Sequence, residues 1–190
     1  MKKIIAGVDE VGRGSLIGPV YAAAVILNKN INKKKLKDSK KISKKNREVL
    51  YNYIKKNSIY AVGSASLNEI EKQNILNASL LAMKRAVKKL EKKPTLVLVD
   101  GNKTPKINYY KVKNIIKGDE KIPEISAASI IAKVSRDRLI TKLSKKFNKY
   151  LWDKNAGYGT KKHIQAIKKF GVTKHHRKTF EPIHNILSLK

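Results

Sequence analysis

The run Leu96-Val97-Leu98-Val99 constrains the fold of this chain more than any other segment. Four consecutive apolar residues, bounded by Pro94 on one side and Asp100-Gly101 on the other, read as a β-strand buried on both faces. Other runs rich in β-branched or aromatic residues predict strands over 4–8, 20–27, 59–65 and 109–116. Helical periodicity lies between and after them. Residues 44–56 place Val49, Leu50, Tyr53 and Ile54 on one face. Residues 75–90 repeat Leu76, Leu80, Met83, Val87 and Leu90 before Pro94 ends the pattern. The longest pattern runs from about Ser126 towards Tyr150, and Thr160 is placed to cap a helix that ends at Phe170 with Gly171 in the stop position. The first two strands, joined by a short connection, are expected to pair as a hairpin or meander, and the later ones are separated by helices. The expectation is an α/β fold with a mixed sheet, in one domain over residues 1–190, a length that suits one sizeable core and not two.

The second constraint is chemical. Residues 7–14 read Gly-Val-Asp-Glu-Val-Gly-Arg-Gly, so the first strand runs into two adjacent carboxylates, Asp9 and Glu10, and then a glycine-flanked arginine. This happens in a chain with 44 Lys and Arg against 14 Asp and Glu, a net charge of +30. Such a chain attracts polyanions, and acids facing a polyanion repel it unless divalent cations lie between. A metal-dependent site acting on nucleic acid follows, although an Asp-Glu pair at a strand end is also compatible with a solvated turn. Asp100, at the end of the doubly buried strand, occupies the position where α/β sheets place their sites, yet Asp-Gly is equally a turn former.

Composition removes several alternatives. The chain has no cysteine, which excludes disulfides, thiolate zinc sites and a cysteine nucleophile, and suits a reducing cytoplasm. Its four histidines, His163, His175, His176 and His184, lack the spacing of a zinc site. The lysines near the N-terminus mimic a signal peptide, but Asp9 and Glu10 cut the apolar run short, and nothing approaches a membrane span. A cytoplasmic protein with no membrane association is expected. Residues 28–45, crowded with lysine, form the most loop-like stretch.

Several motifs together resemble the ribonuclease HII family, the bacterial type 2 ribonucleases H. They are the opening 7–14 string with Gly18-Pro19 behind it, Asp38-Ser39-Lys40-Lys41, Val99-Asp100-Gly101, Lys117-Gly118-Asp119 with the 123–134 segment, Gly157-Tyr158-Gly159, and His176-Arg177 with Phe180-Glu181-Pro182. The resemblance spans residues 7–182. It implies a ribonuclease H-like fold, a five-stranded mixed sheet flanked by helices. It further implies four catalytic, metal-binding acids: Asp9, Glu10, Asp100 and Asp119. For the fourth, Asp137 in mid-helix is the main rival, with an i,i+4 pairing to Lys133 as its simpler explanation; Glu120 and Glu124 also lie close in sequence.

The resemblance also implies a cofactor, Mg²⁺ or Mn²⁺, with two ions during catalysis: hard cations that carboxylate oxygens suit. Gly12, Arg13 and Gly14 are expected to contact the 2′-hydroxyl, the group that separates RNA from DNA, through a turn whose backbone can approach closely. Tyr158 is expected to stack on the sugar on the DNA side of the junction, and Lys40 to contact a phosphate. The implied substrates are RNA–DNA hybrid and duplex DNA containing single ribonucleotides, cut on the 5′ side to leave 3′-hydroxyl and 5′-phosphate ends, by a monomer. The C-terminal motif reads as packing and substrate-side scaffolding. Two other readings stay open: a non-catalytic basic nucleic-acid-binding protein, and another metal nuclease of the same fold, such as a junction resolvase. The first leaves the four acids without a purpose, and the second leaves Gly-Arg-Gly and Tyr158 without one.

Overall fold

A computed structural model describes residues 3–36 and 42–188. Lys40 and its motif therefore lie outside the described residues. The five strands are β1 (Ile5–Val11), β2 (Val20–Leu27), β3 (Ser58–Ala65), β4 (Leu96–Asp100) and β5 (Lys111–Ile115). The helices are α1 (Lys44–Lys56), α2 (Leu67–Lys88), α3 (Gly118–Lys121), α4 (Pro123–Lys146), α5 (Trp152–Asn155), α6 (Lys161–Phe170) and α7 (Ile183–Ser188). One sheet holds the order β3-β2-β1-β4-β5. Its first three strands form an antiparallel meander, and β4 and β5 then add parallel to β1. This is the mixed α/β sheet the sequence implies.

The strands alternate between two apolar layers, as a sheet covered on both faces requires. Ala6, Val8, Val97 and Val99 pack beneath α2 with Ala78, Ala82, Met83 and Ala86. On the opposite face Ala23 and Val25 meet Ala127, Ile130, Ile131 and Val134 of α4, together with Tyr51 and Ile54 of α1. Leu96 and Leu98 reach Ile125 on that same α4 side. A third apolar cluster joins Leu16 and Ile17 to Ile140, Tyr150, Trp152, Ile167 and Ile183, so the C-terminal elements dock on the β1–β2 connection.

Gly7 explains how closely α4 rides on the sheet. A Cβ built there would stand 2.1 Å from the carbonyl carbon of Glu124, so only glycine lets the start of α4 cross β1 at this point. Among the described residues no helix is long and apolar enough to cross a membrane.

Several boundaries differ from the sequence expectation. β1 continues to Val11, so Asp9 and Glu10 lie within the strand and not beyond it; β2 extends the ladder by pairing Ala23 with Asp9 and Ala22 with Glu10. Helix α2 starts at Leu67, where Ser66 and Glu69 form a reciprocal capping box. It bends at Asn74 (φ 67°), whose side chain caps a second segment from Ile75, the start that the apolar periodicity indicates. Helix α4 opens three residues earlier than expected, with Pro123 in its first turn, and stops at Lys146. Strand β5 begins only at Lys111, because Tyr109 is in a left-handed conformation (φ 71°). The lysine-rich stretch contains a 3₁₀ turn, Lys33–Leu36, seated on α4 by a hydrogen bond from the Ser126 hydroxyl to the Leu36 carbonyl.

Candidate active site

Parallel pairing aligns Val8 of β1 with Val99 of β4, so Asp9 and Asp100 follow side by side at the same end of the sheet. Asp9 is buried (6 % exposed). Its Oδ1 accepts the Glu10 N–H at 2.7 Å, and its carboxylate also takes a hydrogen bond from the Ser129 side chain on α4. Burial, and then the charges of Glu10 and Asp100, hold the Asp9 carboxyl well above the usual carboxylate range, with Ser129 opposing the shift. Burial also raises Glu10, while a 3.2 Å ion pair with Arg13 pulls it back. Three acids from β1 and β4 are thus gathered at one end of the sheet, at a cost in burial and mutual repulsion.

Asp100 Oδ1 accepts the Gly118 N–H at 2.7 Å, which ties the start of α3 to the end of β4. Lys117 supplies the left-handed turn (φ 55°) that this connection needs. Asp119 follows Gly118 directly and is buried at 3 % exposure. The rival acids are engaged differently. Asp137 pairs with Lys133 at 2.9 Å across one helical turn, and Glu124 pairs with Lys33 at 3.0 Å. Glu120 is exposed.

Among the described residues no three carboxylate or imidazole groups close into a cage for a single ion. That arrangement still fits a hard divalent cation such as Mg²⁺, which keeps several waters and binds through one or two carboxylates together with substrate phosphates. The donor set is all oxygen, and a cation would offset the burial, and with it the mutual repulsion, that raise the Asp9 and Glu10 carboxyls.

Beside the acids, residues 12–14 leave β1 in a turn. Gly12 adopts φ 91°, and a Cβ there would overlap the Arg136 guanidinium at 2.2 Å, so glycine is required twice over. Arg13 is exposed. Gly14 faces the Tyr158 ring, whose Cε1 lies 3.9 Å from where a Cβ would stand. An antiparallel bridge between Ser15 and Tyr158 and a 2.8 Å bond from the Leu16 N–H to the Gly157 carbonyl join the two segments. Tyr158 is therefore part of a built wall and not a free loop residue.

Sequence reasoning passed over the supports behind this wall. Arg136 and Arg177 are fully buried. Arg136 donates to the carbonyls of Ile17 (3.1 Å), Pro19 (3.3 Å) and Ala156 (3.0 Å). Arg177 donates to Gly18 (3.0 Å) and Arg13 (2.7 Å), in keeping with the scaffolding role expected of its motif. His163 is fixed as one tautomer: Nε2 accepts from Trp152 Nε1 at 2.9 Å, so Nδ1 carries the proton it donates to the Tyr158 carbonyl at 2.9 Å. The one signal available was scarcity. Six arginines stand among the 44 basic residues, so an arginine marks a position where lysine does not serve.

A ribonuclease H-like sheet with carboxylates at the shared end of β1 and β4 defines a nuclease class, and comparison with known proteins narrows it. The Ribonuclease HII family pattern matches residues 6–183. A ribonuclease HII of Pelagibacter ubique (strain HTCC1062) is 71 % identical over 97 % of this chain and 100 % of its own length. One from Wolbachia sp. subsp. Brugia malayi (strain TRS) is 51 % identical over 96 % of this chain and 90 % of its own. The crystal structure of ribonuclease H2 from Pyrococcus horikoshii OT3 superposes with a TM-score of 0.81 at 29 % identity, covering 97 % of both chains. The chain belongs to the ribonuclease HII family and is a ribonuclease H-type endonuclease.

Proposed function

We propose that this enzyme hydrolyses the RNA strand of RNA–DNA hybrids and cuts duplex DNA on the 5′ side of a single embedded ribonucleotide, leaving a 3′-hydroxyl and a 5′-phosphate. The observation that carries the reading is the juxtaposition at one sheet end. Asp9 and Glu10 on β1 stand beside Asp100 at the end of β4, the Gly12-Arg13-Gly14 turn follows β1, and Ser15, directly after that turn, is bridged to Tyr158.

In this reading Asp9, Glu10, Asp100 and Asp119 hold Mg²⁺ or Mn²⁺. Two bound ions would supply an activated water and stabilise the leaving oxygen. The chain's own task is placement. Ser129 and the Glu10 N–H orient the Asp9 carboxylate, and the Gly118 N–H orients Asp100. Arg13 holds Glu10 at 3.2 Å, and in the complex its exposed guanidinium is available to phosphate. The backbone of 12–14 approaches the ribose 2′-hydroxyl, and the Tyr158 ring stacks on the neighbouring deoxyribose. Lys40 is assigned a phosphate contact on the family resemblance alone. The enzyme works as a monomer.

Asp100→Asn tests the acid assignment. It should abolish turnover while duplex binding stays intact or tightens, because a charge repelling phosphate is removed. Normal cleavage by this variant would reduce Asp100 to a turn residue.

A further inference from the structure

Three segments of the chain meet behind the wall formed by the 12–14 turn and Tyr158: 12–19, 156–158 and 175–177. Ile17 bridges to His176, the Gly18 N–H bonds to the His175 carbonyl at 2.9 Å, and the Arg177 N–H bonds to Leu16. Arg177 grips only the first segment, through Arg13 and Gly18. Arg136 reaches from α4 to two of them at once. Nη2 and Nε bind Ile17 and Pro19 behind the turn, and Nη1 binds Ala156, two residues before Tyr158. Its guanidinium carbon also lies over the Tyr158 ring, 5.9 Å from the ring centre. The same guanidinium fills the space that any side chain at position 12 would need. It thus touches both halves of the wall.

We propose that Arg136 is a positioning residue for substrate choice: it fixes the spacing between the Gly12-Arg13-Gly14 turn and the Tyr158 ring, and that spacing selects a ribose followed by a deoxyribose. The inference rests on the reading of those two elements as the junction-reading pair. The geometry explains why arginine is needed. A planar fork serves carbonyls on two separate segments simultaneously, whereas an ammonium acts as a point donor on a flexible stem. The selected distance would then be set inside the protein, by a residue that never touches the nucleic acid.

The test uses Arg136→Lys and Arg136→Met in the full chain. Each preparation is assayed on a duplex with one ribonucleotide and on an all-RNA strand in a hybrid. The ratio of the two kcat/KM values does not depend on the folded fraction, so a purely structural defect leaves it unchanged. In both variants the ratio of single-ribonucleotide to all-RNA kcat/KM should fall about tenfold or more below the wild-type ratio, the scale expected of a small misplacement. Tyr158→Ala should lower the same ratio, and adding Arg136→Lys to it should lower it no further, because both act on one contact.

A wild-type ratio in both Arg136 variants, with a lowered ratio in Tyr158→Ala, would overturn the proposal and leave the junction reading standing. An unchanged ratio in Tyr158→Ala would instead remove the junction reading itself. Should a variant cleave neither substrate, the preference is measured by binding to a ribonucleotide-containing duplex against an all-DNA duplex without divalent ion. A wild-type preference there also overturns the proposal.

Discussion

Asp9 is the residue on which the chemistry and the stability of the protein pull in opposite directions. Its folded carboxyl is raised by burial and by two neighbouring acids. The folded state therefore binds this proton more tightly than the unfolded chain. The stabilisation is complete below the unfolded value of 3.8 and is lost as pH rises through the raised folded value. Without added metal, stability should fall as pH rises from 3.8 through the raised folded value, and Asp9→Asn should raise the melting temperature; with Mg²⁺ the same variant should not cleave. Mg²⁺ should raise the wild-type melting temperature more above the raised folded value, where Asp9 is ionised, than at pH 3.8; an equal effect at both would separate the metal from Asp9. Asp119 and Asp137 are told apart on the same scale. Asp119→Asn should cut the rate by orders of magnitude. Asp137→Asn loses only the Lys133 pair, about 0.2–0.5 kcal/mol of helix stability. Rates and melting curves of the two variants check this, and the reverse ranking would move the fourth acid. At this scale the neighbouring positions of Asp9 and Asp100 were legible in the two apolar runs that lead into them, whereas Asp119 was singled out by the family resemblance and not by a local pattern. Arg136 and Ser129 were not, since their partners lie far away in sequence and the bonds to backbone leave no local pattern.

At the scale of elements, the sheet and its two layers were readable from periodicity, and the misplaced boundaries share a cause. Strand β1 runs three residues beyond its apolar stretch because β2 supplies the pairing, which no local property of Asp9, Glu10 and Val11 reports. The first part of α2 was passed over, because its apolar periodicity is broken at Asn74 and its start is marked only by the Ser66–Glu69 capping box. The α4–β1 crossing gives a sharp prediction. Gly7→Ala would press a methyl group into the Glu124 backbone, costing about 3 kcal/mol, the upper end for overpacking, as read by denaturant unfolding. A near-neutral result would mean that α4 can move off β1. The C-terminal cluster should be acid-sensitive. Burial keeps His163 below its ordinary value and pushes His176 down to about 4, with the nearby His163 charge adding to the latter. Both are neutral in the fold, so their contribution is present above about 6.5 and is lost as pH falls towards 4. Because His163 holds the Tyr158 carbonyl, His163→Ala should impair cleavage of a single ribonucleotide and flatten the acid side of the stability profile, measured by thermal melts across that range.

The whole molecule carries +30 charges, and composition alone could not say which of them face the substrate. The structure narrows this for the arginines. Arg13 is exposed beside Glu10, whereas Arg136 and Arg177 are fully buried, Arg85 and Arg138 are paired with Glu69 and Glu48, and Arg47 donates to the Ile42 carbonyl. Phosphate neutralisation therefore falls mainly to lysine, and it should be read as salt dependence. Each lysine–phosphate contact steepens the fall of log affinity with log salt by about 0.9 on duplex DNA. A nearly flat dependence would place the charge away from the binding face.

The most direct measurement of the central claim follows one labelled duplex that contains a single ribonucleotide. With Mg²⁺ or Mn²⁺ the strand should be cut on the 5′ side of the ribonucleotide, and the upstream fragment should end in a 3′-hydroxyl. In excess chelator no product should form, and the metal should restore it. Undiminished cleavage in chelator, or a 2′,3′-cyclic phosphate end from attack by the ribose's own hydroxyl, would contradict a site in which clustered carboxylates hold metal for hydrolysis by water.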